Sequence, residues 1–369
     1  MQFGLNESQE MLKSNARKFF AAECPMEEVR RLMEAPTAYD AALWAKMAEQ
    51  GYTGIILPEE FGGVGLGALD LILLMEEAGR ALLPGPLFST VALAGASILE
   101  VASTAQKKKY LERIASGEAR ATLAFLEASA SWDPAELTMA ASAGGKLTGE
   151  KLFVTDAAVA DFLVVVAKNG VYVVDAKAPG VKIAAMRGMD MTRKIYVVTF
   201  SDTPAEKLGD TSALAKALDI ATAALAAELV GGMQRTLDIT VEYAKVRKQF
   251  GKPIGSYQAV QHQCADMYLE TESSRSAAYY AAWTLQEDTP DAAVAAAIAK
   301  MYASDAARTV GNRGIQVHGG MGFTWENDVH LYYRRAKASE TMLGDAAFHR
   351  ARIAMHVIDK ASTQTAKSA

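Results

Sequence analysis

Only two cysteines occur in 369 residues, Cys24 and Cys264, and they follow neither a metal-ligand nor a redox spacing. A disulfide framework and a metal site are therefore not expected, and a reducing compartment fits. An excess of cations is also lacking, since 38 Lys and Arg stand against 43 Asp and Glu for a net charge of −5. No basic cluster is dense enough for a nucleic-acid or membrane footprint. Long apolar runs are missing too. Met1-Gln2-Phe3-Gly4 leads straight into a charged helical pattern, so neither a signal peptide nor a membrane span is expected, and a cytoplasmic location follows. Half of the residues are hydrophobic while mean hydropathy is near zero. That balance belongs to a soluble globular enzyme, and the length is enough for two or three domains.

What is present divides into three stretches, 1–119, 120–206 and 207–369. Residues 7–21 carry Met11, Leu12, Phe19 and Phe20 at helical spacing among charges. Further helical runs span about 38–50, 67–82, 88–101 and 105–116, and the Gly51–Gly63 loop and Pro84 and Pro86 interrupt them. From residue 120 the period shortens. Ala121–Glu127, Leu137–Ser142, Lys146–Thr155, Phe162–Ala167, Gly170–Asp175 and Ile195–Phe200 read as strands, and Ala143-Gly144-Gly145 and Asn169-Gly170 mark hairpins. Such short strands make a small β-barrel or sandwich. Ala215–Val246 is then an alanine-rich helix of unusual length, followed by Gln261–Leu285 and Ala292–Arg313, the pattern of an antiparallel four-helix bundle. The fold class is α+β and multidomain.

Two stretches carry the chemistry. Tyr243–Gln258 (YAKVRKQFGKPIGSYQ) ends a helix with Lys245, Arg247 and Lys248, and Gly251 and Pro253 enforce the stop. A guanidinium at such a turn suits a pyrophosphate, which arginine grips in a bidentate fork. Gly314–Asp345 (GIQVHGGMGFTWENDVHLYYRRAKASETMLGD) opens with glycines that let another group approach the backbone closely. Together with a PEE-x-GG-x-G loop near Pro58, Glu77-x-Gly79-Arg80 and Lys108-x-Tyr110-Leu111, these stretches resemble the acyl-CoA dehydrogenase family of flavoproteins, almost from end to end.

The resemblance implies an FAD-dependent oxidation of an acyl-CoA thioester to its 2-enoyl form. A carboxylate takes the α-proton and the β-hydride goes to the flavin. It places Arg247 and Phe250 at the FAD diphosphate of a neighbouring subunit, with Gln258 beside them. Gln316, Gly319 and Gly320 fall at the adenosine end, and Thr155 beside the flavin ring. A site shared between subunits implies a homodimer, a homotetramer or an α2β2 assembly with a related chain. Electron-transfer flavoprotein is the implied electron acceptor. The wording from His318 to Glu326 is closest to the steroid side-chain subgroup, whose members look like mixed α2β2 assemblies with one base-lacking subunit.

Three positions depart from the family. The glycine-containing loop that contacts flavin and thioester is replaced by Leu126-Glu127-Ala128-Ser129-Ala130-Ser131-Trp132-Asp133. The usual catalytic glutamate falls on Leu343, after Arg334-Arg335-Ala336-Lys337. The alternative base position, twenty-six residues before Arg247, falls on Ala221. Neither residue accepts a proton. Glu228 lies two helical turns, roughly 10 Å, beyond Ala221 on nearly the same face. Asp345 follows the vacated glutamate position by two residues, and Asp219 opens the long helix. Each has a structural alternative: a buried or interface-paired role for Glu228, a turn or cap role for Asp345, a helix-start role for Asp219. Glu340 is expected to face Lys337. Three readings follow: an active dehydrogenase with a displaced base at Glu228 or Asp345, a silent subunit that completes FAD sites beside a base-bearing relative, and a different flavin reaction on the same fold, such as acyl-CoA oxidase or nitroalkane oxidase chemistry. The small residues Ala221–Gly232 signal either close helix packing or a roomy acyl pocket, and packing is the expectation.

Overall fold

The computed structural model describes residues 4–367, with side chains described to residue 358. The expectation about a leader rests partly on Met1–Phe3, which lie outside the described residues. Among the described residues no helix is long and apolar enough to cross a membrane.

Helices α1 (Glu7–Glu23), α2 (Met26–Glu34) and α3 (Ala41–Glu49) open the chain. Asn6 and Gln9 close a capping box on α1, and Asp40 caps α3 through the N–H groups of Ala42 and Leu43. The glycine loop makes two 3₁₀ turns, Tyr52–Gly54 and Glu59–Phe61, before α4 (Ala68–Arg80). The run expected as one helix over 88–101 is a buried π-helical stretch, Phe88–Gly95, continued by α5 (Ala96–Val101); α6 (Thr104–Ala115) follows.

The middle stretch forms two sheets. One has four strands in the order β1 (Ala121–Ala124), β3 (Phe162–Ala167), β4 (Gly170–Asp175) and β7 (Glu206–Gly209). The other has β2 (Lys146–Thr155), β6 (Ile195–Pro204) and β5 (Val181–Ala185). Leu147, Val154, Leu163, Val165, Tyr172, Val198 and Phe200 are buried in one shared core, so the pair is a small sandwich. β1 and β3 run parallel and every other pair antiparallel. Leu137–Ser142, expected as a strand, is not one. Its N–H groups are taken by other acceptors: Thr138 and Met139 donate to the Glu127 carboxylate and Ala141 to the Asn169 side chain.

The rest is helical: α7 (Ala215–Val246), α8 (Gln258–Gln286), α9 (Ala292–His318), α10 (Val329–Thr341) and α11 (Ala346–Lys367), with a two-residue hairpin ladder, β8 (Lys248–Gln249) and β9 (Lys252–Pro253), after α7. α9 packs on α8, α10 and α11. The described residues gather into two compact units, one up to Leu74 together with Leu83–Ala221, the other Met75–Leu82 together with the chain from Thr222 onward. In the second unit α4 crosses α7 backbone to backbone. A Cβ on Gly79 would lie 2.0 Å from the Glu228 carbonyl, and one on Gly231 would lie 1.8 Å from the Glu76 carbonyl. The small residues at this crossing serve packing, as the sequence led us to expect.

Candidate functional site

The turn after α7 is built to present its side chains outward. Phe250 (φ 51°) and Gly251 (φ 83°) are both left-handed, the geometry of a tight hairpin. The Arg247 N–H closes on the Tyr243 carbonyl (2.9 Å) and its own carbonyl accepts from Ile254 (2.8 Å), so the backbone is held while the guanidinium stays exposed. Phe250 is 93% exposed. Lys252 sits over the Tyr257 ring at 4.4 Å, and the Tyr257 hydroxyl donates to the Gln249 carbonyl (3.1 Å). Gln258 begins α8 directly afterwards.

The second motif lies at the end of α9, and the structure brings it to the first. His318 stacks on Tyr243 with ring centroids 4.4 Å apart and planes 20° from parallel, and its Nδ1 lies 2.8 Å from the Gly314 carbonyl. Burial lowers the His318 pKa, which favours the neutral ring in this stack. Gly319 (φ 60°) and Gly320 follow at once, and a Cβ on either would meet nothing within 4 Å. An exposed guanidinium one turn from Tyr243 and two open glycines beside His318 give a cation and close backbone access, which is donor chemistry that fits a dinucleotide diphosphate.

Thr155 belongs to the other unit, at the end of β2, where it is buried with its hydroxyl 3.5 Å from that of Thr122. Asp156 follows in the left-handed region and accepts from Ser89 of the π-helical stretch (2.7 Å). Two residues before Thr155, Phe153 is strained (φ 54°) at the bulge between Lys151 and Val154, yet 46% exposed. In the altered loop, Glu127 serves structure: it accepts from the fully buried Lys151 ammonium (2.8 Å) and from Thr138. Burial pushes its pKa up, but the hydrogen bonds from Lys151 and Thr138 outweigh it and hold the carboxyl at about 2.

The carboxylates considered as replacement bases are all engaged. Glu228 is 5% exposed and pairs with Arg335 of α10 at 2.5 Å. The two line a cavity of about 20 Å³ with Met233, Thr236, Tyr332 and Ser339, room for about one water and no acyl chain. Asp345 is exposed and caps α11 by accepting from the Phe348 N–H (2.8 Å). Asp219 is buried in the first turns of α7. Glu340 pairs with Lys337 (2.5 Å), as expected, and also with Arg308 (2.8 Å). Leu343 is 3% exposed in a left-handed conformation (φ 58°), and Ala221 is fully buried.

Comparison with known proteins shows the family to which the chain belongs. Residues 6–118 match the acyl-CoA dehydrogenase N-terminal domain and residues 211–358 the C-terminal domain. The chain is 34% identical to the acyl-CoA dehydrogenase IpdE2 of Mycolicibacterium smegmatis, across 92% of this chain and 96% of that one. Among solved structures, the Tcur3481-Tcur3483 steroid ACAD superposes with a TM-score of 0.88 at 32% identity, covering 96% of this chain and 99% of that one. A chain of the ChsE4-ChsE5 complex from Mycobacterium tuberculosis does so with a TM-score of 0.88 at 27% identity, covering 97% and 99%. The chain belongs to the acyl-CoA dehydrogenase family, FAD-binding oxidoreductases that act on acyl-CoA thioesters.

Proposed function

We propose that this chain is the base-lacking subunit of a hetero-oligomeric acyl-CoA dehydrogenase, completing FAD sites while a related partner chain supplies the proton-abstracting glutamate. The observation that carries this is the set of engagements around the two vacated positions. Leu343 and Ala221 have no proton-accepting group, Glu228 is tied to Arg335, and Asp345 caps a helix. A buried carboxylate bonded to a guanidinium is already engaged and is poorly placed to take a proton from a carbon acid.

In this reading Arg247 holds the FAD diphosphate through charge-assisted bonds, and Phe250, exposed beside it, meets the neighbouring subunit. Gln258 supports the same turn, and Gln316, Gly319 and Gly320 leave room for the adenosine end. Thr155 places its hydroxyl at the ring. FAD, when bound, supplies the hydride acceptor. The three stretches 1–119, 120–206 and 207–369 serve as the domains of each subunit. The names of two structural relatives join two chains, and one of them is a steroid ACAD, which supports a hetero-oligomer and a steroid side-chain or similarly bulky thioester. Electron-transfer flavoprotein as acceptor and a cytoplasmic location complete the proposal.

The second reading, an enzyme active alone through Glu228 or Asp345, is separated by one experiment. The chain is purified alone and with a co-expressed glutamate-bearing relative, and both are titrated anaerobically with straight-chain, branched and steroidal acyl-CoAs. The proposal expects bleaching of the flavin band only in the mixed assembly. Bleaching by the chain alone, abolished by Glu228→Gln or Asp345→Asn, overturns it.

A further inference from the structure

Beneath the vacated position 343, two buried basic side chains converge on one short turn. Lys300 of α9 is fully buried, and its Nζ lies 3.0 Å from the Glu340 carbonyl, 3.0 Å from the Gly344 carbonyl and 2.9 Å from the Ser304 hydroxyl. His349 of α11, also fully buried, places Nε2 3.0 Å from the Leu343 carbonyl. The carbonyls of 340, 343 and 344 are thus drawn onto two side chains from two other helices. The turn they hold contains two consecutive left-handed residues, Leu343 (φ 58°) and Gly344 (φ 95°). Leucine is disfavoured there, because its Cβ crowds the backbone, so something outside the residue must maintain the conformation.

We infer that Lys300, seconded by His349, is the positioning residue of the 340–345 turn and holds the backbone at position 343 whatever side chain stands there. The inference rests on reading 343 as the emptied base position. It explains how glutamate gives way to leucine without loss of the frame.

The chemistry of the amine suits this role. Burial lowers the Lys300 ammonium to about 7, with Glu340 and Asp345 pulling it back up. As an ammonium it donates to all three oxygens. As a neutral amine it donates to the two carbonyls and accepts from the Ser304 hydroxyl. Either form keeps both carbonyls bonded. His349 is held far down, at about 3, by burial and by the Lys300 charge, so its ring is neutral and Nε2–H donates to Leu343.

The test is amide hydrogen exchange of the full-length chain, with no flavin or substrate needed, followed peptide by peptide over 341–346. Removing the donor leaves two carbonyls unbonded, and Lys300→Met is expected to speed exchange there roughly tenfold to hundredfold, with α7 unchanged. Lys300→Gln, which keeps two donors, recovers part of the protection, and Leu343→Ala stays near wild type. Should Lys300→Met not fold, Ser304→Ala still reports, with a smaller acceleration confined to the same peptides. Equal exchange in Lys300→Met and wild type overturns the inference. So does a Leu343→Ala effect as large as that of Lys300→Met, or no rescue by glutamine. Failure of the base-lacking proposal leaves these exchange results standing, because they involve no turnover.

Discussion

Removing one side of the Glu228–Arg335 pair tests how Glu228 is used. Arg335→Met deletes the cation and leaves a 5% exposed carboxylate on α7 facing the interior. An uncompensated buried charge costs about 3–5 kcal/mol. The neighbouring cavity of about 20 Å³ admits about one water, too little to rehydrate a carboxylate, so that cost is the upper bound of the expected loss. Glu228→Leu with Arg335→Met removes both charges and keeps comparable bulk, and is expected within about 1–2 kcal/mol of wild type. The assay is denaturant unfolding at one protomer concentration, with slopes compared so that midpoints report stability alone. The double-mutant cycle then isolates the pair. Arg335→Met within about 1 kcal/mol of wild type, or a double variant as unstable as the sum of the singles, would refute the argument. A functional arm runs in parallel. The stable double variant should still support turnover by a mixed assembly, and loss of turnover with flavin retained would return Glu228 to the role of base.

Three further outcomes are expected. Glu127 titrates near 2 when folded, below its ordinary value of 4.5, so its contribution is present above pH 4.5 and is lost as pH falls toward 2; Glu127→Gln should flatten the melting-temperature profile in that window. Gly231→Ala puts a Cβ 1.8 Å from the Glu76 carbonyl at the α4–α7 crossing, and backbone against backbone cannot yield cheaply, so a loss of about 3 kcal/mol or more is expected in thermal unfolding. Arg247→Ala should weaken FAD retention roughly tenfold to hundredfold, as loss of a charge-assisted phosphate contact implies, read as flavin per protomer after gel filtration.

Much of the architecture was legible because strong periodicity survives tertiary context. The α7 limits, Ala215–Val246, coincide with the alanine-rich run, and β2, β3 and β4 begin and end where their strand patterns do. What was missed is mostly short or exposed, the 22-residue α11 being the exception. α2 has nine residues, while β5 is largely exposed and β7 has only four residues to signal with. Leu137–Ser142 has strand-like residues, but Glu127 and Asn169 intercept its N–H groups from far along the chain. The π-helical stretch at Phe88–Gly95 looked like ordinary helix because the apolar pattern does not reveal a shift in hydrogen-bond register.

The same division runs through the candidate site. The sequence by itself determined the family, because its motifs are matters of residue type at fixed spacing along one strand or helix, and on that spacing rests the proposal that Leu343 and Ala221 stand where a base would be. Only the tertiary structure decided what the remaining charges do. Glu228 meets an arginine 107 residues away, and Lys300 reaches carbonyls 40 and 44 residues away. No local pattern records such pairings. They exist because the chain returns to the same point in a low-dielectric interior, where a buried charge must find a partner.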